Sequence, residues 1–223
     1  MRDFKNWNGQ AFKKAILKGE FPEYNYLILP DGTHVPHDSV WHTESIFDHV
    51  VRVVDEASKL SKRYKLNEEE HNILMVSSTF HDCGKIFTRK EKERLQCTKC
   101  GKVYPPSWVG PCKGCGCYKL EMRTFHGYHN HELVGVSDWL FGNIVKREQI
   151  PLNISTEAKD LIAHHLEVAK YIEYGDYNYP FTKLNLLLSW ADEKGRDSAY
   201  FIPDYSETFN DLLKEIIQGE KNE

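Results

Sequence analysis

Apolar residues recur at helical spacing over most of this chain. Ile46, Val50, Val53, Ala57 and Leu60 mark one face of a helix from Ser45 to about Leu60. A second apolar run, Ile73-Leu-Met-Val76, leads to Phe80-His81-Asp82-Cys83-Gly84. Asn67-Glu-Glu-Glu70 before it has the form of a capping box, and Gly84 after it is the expected helix stop. Helical periodicity returns at about Asn130–Lys146, Thr156–Lys170 and Thr182–Asp192. A last amphipathic helix, Ser206–Gln218, presents Phe209, Leu212, Leu213 and Ile216. At the other end the pattern predicts a helix over about Gln10–Lys18, a short strand Tyr24–Leu29 and a Pro-Asp-Gly turn at 30–32. Thr33–Trp41 reads as a loop carrying His34 and His37.

The helical pattern stops between 89 and 124, where Pro105-Pro106, Gly110-Pro111 and five cysteines fall. The expected organisation is an N-terminal helix/strand extension (1–40), a helical core (41–88 and 125–223) and an insertion (89–124). The fold class is mainly α. A chain of 223 residues with 40% hydrophobic content can bury such a core. No apolar run reaches the ~18 residues of a membrane span. Met1-Arg2-Asp3-Phe4-Lys5 lacks the apolar stretch of a secretory signal, so a cytoplasmic location is expected.

The cysteines carry the first chemical signal. Cys97-x-x-Cys100 and Cys112-x-x-Cys115 are separated by eleven residues, and paired C-x-x-C turns each bring two sulfurs to one tetrahedral zinc ion. Gly101, Gly114 and Gly116 suit the tight backbone of those turns. A Pro/Gly-rich segment with so little apolar content needs the ion to fold. Cys117 is an alternative to Cys115 as fourth ligand. Trp108, Tyr104 and Tyr118 either stack on a base or cover the ribbon's own small core.

The histidines and aspartates carry the second. In the doublet His81-Asp82 an imidazole and a carboxylate approach a metal from two directions, and the carboxylate can bridge two ions. His49 lies on the apolar stripe that must face the core, which favours it over His42 as a ligand. Asp192 closes another apolar helix.

The segments "DHVVRVVDEA" at 48–57, "FHDCGK" at 80–85, "HNHELVG" at 129–135, "AHH" at 163–165 and "ADEKGR" at 191–196 resemble the HD-domain superfamily of metal-dependent phosphohydrolases. The motifs are most similar to the HD domain of bacterial CCA-adding tRNA nucleotidyltransferases. The ligand order also resembles the two-metal HD-GYP branch. The likeness spans roughly residues 42–196. The chain departs from these relatives in having no nucleotidyltransferase domain, no GYP tripeptide and an inserted zinc ribbon. The resemblance implies that His49, His81, Asp82 and Asp192 hold a first divalent ion, with Asp82 bridging. It implies that His131 and one or both of His164 and His165 hold a second. His131 is preferred to His129 because Gly135 follows it at the family's spacing. The ions implied are one or two divalent transition metals or Mg²⁺, besides one structural zinc.

Formal charge shapes the expected substrate. The chain is −4 overall, yet residues 85–124 carry ten Lys/Arg against three acids, so that segment is +7 and the rest −11. Four thiolates and their zinc would leave roughly +5 there. This basic lobe either makes a soluble insertion or draws in a phosphate-rich ligand. The expectation is hydrolysis of a phosphoester in a nucleotide or an RNA or DNA end by metal-activated water, with 2′,3′-cyclic phosphates among the substrates. Lys85 is expected to contact phosphate, and a free histidine (His129, or the spare of His164 and His165) to protonate the leaving oxygen. His126 is a further substrate candidate. Arg196 either forks onto the phosphate or pairs with a neighbour of Asp192. Nucleic-acid contact through the ribbon is the expected partner interaction. The alternatives are a di-iron oxygenase on the same scaffold and a zinc-ribbon nucleic-acid-binding protein.

Overall fold

Side-chain caps start the main helices where the pattern places them. In the computed structural model, which describes residues 4–39, 42–175, 181–197 and 205–220, α1 (Gly9–Leu17) begins under the Asn8 side chain. Helix α2 (Ile46–Arg63) begins under the Ser45 hydroxyl. Asn67 and Glu70 form the full capping box of α3 (Glu68–Phe80), and Thr182 with Asn185 does the same for α9 (Lys183–Gly195). Each cap satisfies amides that the first helical turn leaves unpaired. The fold is mainly α, with a small three-stranded sheet. Trp41 lies outside the described residues.

Helix α2 packs against α1, α3 and α9, and α3 packs against α7 (Leu152–His164). Trp7, Phe12, Phe21 and Phe80 interlock at one end of this core, with Phe12 and Phe21 edge to face at 5.3 Å. Trp7 Nε1 donates to Thr79 Oγ1 (3.0 Å), and the Tyr24 hydroxyl donates to the Thr79 carbonyl. At the other end Trp190 stacks on Phe209, holding α10 (Ser206–Glu220) onto α9. Each such buried aromatic contributes roughly 1.5–3 kcal/mol. No helix among the described residues is long and apolar enough to cross a membrane.

Four local expectations are corrected. Tyr24–Leu29 is not a strand: Pro22–Leu27 forms a 3₁₀ helix. Tyr24 and Leu27, three apart, both point inward, a helical spacing that Pro22 at the first position supports. The periodic stretch 130–146 is broken into α5 (His131–Gly135), a wide π turn at Asp138–Gly142 and α6 (Asn143–Glu148). Ser137 causes the break: its backbone is extended and its hydroxyl donates to the Val134 carbonyl at 2.6 Å. The stretch 156–170 likewise divides into α7 and α8 (Glu167–Tyr174). There the carbonyl of His165 accepts from the Ser189 hydroxyl of α9, at 2.6 Å.

Gly84 is the fourth. It is not a left-handed helix stop: its φ is −77° and it leads into the short α4 (Lys85–Thr88). Its missing side chain serves close packing instead. A Cβ there would lie 2.0 Å from the His131 carbonyl oxygen and 2.7 Å from the Gly135 amide nitrogen. Helix α5 can therefore lie directly on the turn that carries His81 and Asp82. On the opposite side a Cβ on Gly195 would meet Val53 at 2.4 Å, so α9 lies equally close on α2.

The sheet grows straight out of this region. β1 (Arg89–Cys97) follows α4 and pairs antiparallel with β3 (Leu120–Tyr128), in a register from Arg89 opposite Tyr128 to Cys97 opposite Leu120. β2 (Val103–Tyr104) adds to the other edge of β1.

Gly84→Ala is expected to destabilise the fold by about 2 kcal/mol or more through backbone overpacking. Gly219→Ala, with open space around its Cβ position, should change stability by less than ~1 kcal/mol. Denaturant unfolding of the two variants measures the contrast.

Candidate metal centre

Five segments deliver the polar core. His49 comes from the middle of α2, His81 and Asp82 from the end of α3, and His131 from the start of α5. His165 follows α7, and Asp192 lies in the last turns of α9. All six are buried. Asn130, in the left-handed conformation that Asn tolerates (φ 58°), turns the chain so that α5 begins at His131.

The orientation of the four imidazoles decides what this cluster can do. His81 Nδ1 faces the Ser78 carbonyl (2.9 Å), His131 Nδ1 the Tyr128 carbonyl (2.7 Å) and His165 Nδ1 the Ile162 carbonyl (2.7 Å). A carbonyl can only accept, so each Nδ1 carries the hydrogen. His49 Nδ1 faces the Glu44 carboxylate at 3.3 Å in the same sense. The Nε2 atoms therefore point the other way, toward Asp82 and Asp192. His49 Nε2 lies 3.0 Å from Asp192 Oδ1 and 3.3 Å from Asp82 Oδ2. His81 Nε2 lies 3.3 Å from Asp82 Oδ2, and His131 Nε2 lies 3.3 Å from Asp82 Oδ1. None of these three Nε2 atoms has a hydrogen-bond partner.

Neutral imidazoles in this tautomer would set lone pairs against carboxylate lone pairs in a buried site. Only a proton or a cation between them removes that conflict. Ring nitrogens tied back to carbonyls and a carboxylate are also how metal-ligating histidines are oriented. The donors fall into two groups whose ligand atoms lie within 4.8 Å of one another: His49, His81 and Asp192, and Asp82, His131 and His165. Asp82 touches both, through Oδ2 to His49 and His81 and through Oδ1 to His131.

Without an ion, protons take its place. Burial opposes charging of His49, but bonds to Asp192, Asp82 and Glu44 outweigh it and raise its pKa to about 10. Burial likewise opposes charging of His81, and Asp82 and Asp192 raise it to about 9. Asp82 and Asp192 stay ionised: burial favours their neutral forms, but the adjacent imidazoles hold both well below the carboxylate range. His165 is different, lowered to about 3 by burial and by His131 and His81 beside it. Its ring is neutral at any ordinary pH.

Three further residues border the cluster: Glu44, which the sequence does not mark, and His37 and His42, of which only His42 is weighed there as a ligand, and ranked below His49. Glu44 orients His49, and His37 and His42 stack on each other at 3.8 Å beside it. Burial lowers both of these histidines, His42 to about 3. Glu44 is held well below its usual range: burial works against this, and His42 and His49 outweigh it. These residues lie in a loop without periodicity, where sequence offers only a cluster of polar letters.

The remaining sequence candidates are placed as follows. Lys85 is buried, with Nζ 2.6 Å from Asp82 Oδ2. His164 points away from the cluster, half-exposed against Asp160. His129 is exposed on the turn before α5. His126 lies against Arg89 and Asp38. Arg196 is bound to Glu193 at 2.9 Å, one residue from Asp192.

A second donor group lies at the far end of the sheet. The sulfurs of Cys97, Cys100, Cys112 and Cys115 gather within 4.8 Å, with Cys97–Cys115 at 3.6 Å and Cys100–Cys112 at 3.4 Å. Sulfurs bound to one tetrahedral zinc stand about 3.8 Å apart, so this quartet can hold such an ion. Cys117 is outside it, its sulfur accepting from the Lys119 amide. Tyr104 stacks on Trp108 and donates to the Cys112 sulfur, so those two rings cover the ribbon's own core while Tyr118 is exposed.

Comparison with protein-family models, characterised proteins and solved structures gave no match.

Divalent-metal binding to chelator-treated protein at pH 7.5 is expected to release about two protons, from His49 and His81. Calorimetry in buffers of different ionisation enthalpy counts them. Both pKa values are raised above the ordinary 6.5. Their pairing thus stabilises the metal-free fold fully below about pH 6.5 and is lost as pH rises through 9 to 10. The melting temperature of the chelated protein should fall over that range, more steeply than that of metal-loaded protein. Cys112→Ser should remove one zinc per chain, read by elemental analysis, and leave the helical far-UV signal in place.

Proposed function

We propose that this chain is an HD-type metal-dependent phosphohydrolase that cleaves a phosphoester of a nucleotide or nucleic-acid end. The observation that carries the reading is the convergence of three unpartnered Nε2 atoms on two ionised, buried aspartates. The donor set fits the group: imidazole and carboxylate suit divalent first-row metals and Mg²⁺. His49, His81 and Asp192 would hold one ion and Asp82, His131 and His165 another, with Asp82 shared. Ions so held supply Lewis acidity toward a phosphoryl oxygen and a water of lowered pKa.

The chain's own residues do the rest. The Nδ1 bonds to Ser78, Tyr128 and Ile162, and the Glu44 carboxylate facing His49, would fix the imidazoles before substrate arrives, so that no ligand reorganises during the reaction. Lys85, buried and 2.6 Å from Asp82, keeps an ammonium at the edge of the cluster. Charge that builds on the equatorial oxygens of a transferring phosphoryl group is offset there. His129, exposed two residues before His131, would exchange protons with solvent and so serve a leaving oxygen. Arg196, engaged by Glu193, is given an orienting part near Asp192 rather than a phosphate contact.

The substrate class rests on the basic lobe. Lys90 and Lys92 stand exposed on β1, with Arg94 beyond them, and the strand begins immediately after the helix that carries Lys85. Such a strip suits a polyanionic chain approaching the site.

Protein loaded with Mn²⁺ or Mg²⁺ is expected to release phosphate from, or open, at least one member of a panel. The panel holds nucleoside mono- and triphosphates, cyclic nucleotides and RNA with a 2′,3′-cyclic phosphate end. Asp82→Asn should abolish turnover, and Lys85→Ala should lower kcat by roughly 10²–10³. An untouched panel, or oxygen consumption by the Fe(II)-loaded protein without phosphoester cleavage, would overturn the reading.

A further inference from the structure

We propose that His37, His42 and Glu44 form a third divalent-metal site, of the two-histidine, one-carboxylate type, beside the central cluster. Residues 35–39 and 42–46 run antiparallel to each other. Val35 and Ile46, His37 and Glu44, and Ser39 and His42 are paired through backbone hydrogen bonds of 3.0–3.3 Å. This pairing sets His37 directly opposite Glu44 and brings His42 back over His37, where the two rings stack. His42 Nδ1 lies 2.7 Å from Glu44 Oε1, and one donor atom from each of the three falls within 4.8 Å of the others.

His37 carries the inference. Its side chain is completely buried, packed between His42 and the edge of Tyr128, yet neither ring nitrogen has a hydrogen-bond partner. A buried imidazole in that position lacks both a donor and an acceptor contact, at about 1–3 kcal/mol for each group. The Tyr128 hydroxyl does not relieve it, because it donates to the His37 backbone carbonyl instead. A cation ligated by His37 would satisfy one nitrogen and use donors already gathered. Two imidazoles and one carboxylate are a ligand set that zinc and other first-row divalent ions accept with coordination positions to spare.

Glu44 makes the site more than an isolated ion trap. Its Oε1 also faces His49 Nδ1, and its Oε2 accepts from the amides of Thr43 and Asp197. One carboxylate therefore touches both this site and the ring that orients the central cluster. Occupancy of the site would set how firmly His49 is held. The inference does not depend on phosphohydrolase activity, since it concerns ligation alone.

Full-length protein loaded with Zn²⁺ and crystallised should show an anomalous difference peak at the zinc edge among His37, His42 and Glu44. The double variant His37→Gln, His42→Gln should contain one zinc fewer per chain by elemental analysis, with its other ions retained. A wild-type crystal with no peak there, or a folded double variant with undiminished zinc, would overturn the proposal. If the double variant fails to fold, the wild-type crystal alone decides. A missing peak at His49, His81 and Asp192 would count against the central centre instead, so the two failures are distinguishable.

Discussion

Two buried carboxylates facing imidazole lone pairs are the constraint around which this molecule is arranged. Left alone, Asp82 and Asp192 would repel one another and would bear the full penalty of charge removed from water. The fold answers with His49, His81 and Lys85 around the two carboxylates, and with donors gathered closely enough that they could hold a metal ion. Three of the four histidines sit at helix or strand ends, where side chains and free carbonyls coexist at short range, whereas His49 comes from the middle of α2 and faces the Glu44 carboxylate instead. Ser78, Tyr128 and Ile162 offer their carbonyls to histidines three residues later, in each case where a helix or strand is ending.

Backbone proximity turns this local chemistry into a tertiary requirement. Gly84 admits α5 onto the His81–Asp82 turn, and Gly195 admits α9 onto α2. The two close approaches flank the cluster, so Asp82 meets His131 and Asp192 meets His49 at a separation a metal can bridge. Broader packing by Trp7, Phe12, Phe21 and Phe80, and by Trp190 on Phe209, fixes the helices whose ends carry the ligands. Core and site are thus one problem of positioning, solved at different distances from the same atoms.

Much of this was legible in the order of residues, and the reasons are physical. Capping chemistry is local, so Asn67 and Glu70 announced the start of α3 without reference to anything distant. The inward face of α2 was visible because Ile46, Val50 and Val53 repeat at helical spacing around His49. The quartet Cys97, Cys100, Cys112 and Cys115 was visible because its spacing is the geometry. What stayed hidden depends on contacts made across the fold. Gly84 looked like a stop and is a packing position. Glu44 gave no signal, since its role comes from lying beside His49. Tyr24 and Leu27 looked extended because aromatic and branched residues are common in strands, whereas Pro22 and inward packing made a 3₁₀ turn. The choice between His164 and His165 turns on a single residue of helix phase, which periodicity cannot settle; in the fold it is the His165 ring that lies with Asp82 and His131.

The ladder of β1 and β3 sets the distance between two groups of side chains that could each hold an ion. Its register runs from Arg89–Tyr128, beside the imidazoles, to Cys97–Leu120, beside the thiolates. Eight steps of about 3.4 Å separate the ends by roughly 27 Å. Thiolates are softer ligands than imidazole and carboxylate, and on a shorter tether one could enter the coordination sphere of the central cluster. Held at the far end of a paired strand, they cannot reach it. The paired strands keep the two donor groups apart, so that no thiolate can complete the coordination of an ion held by the imidazoles and carboxylates.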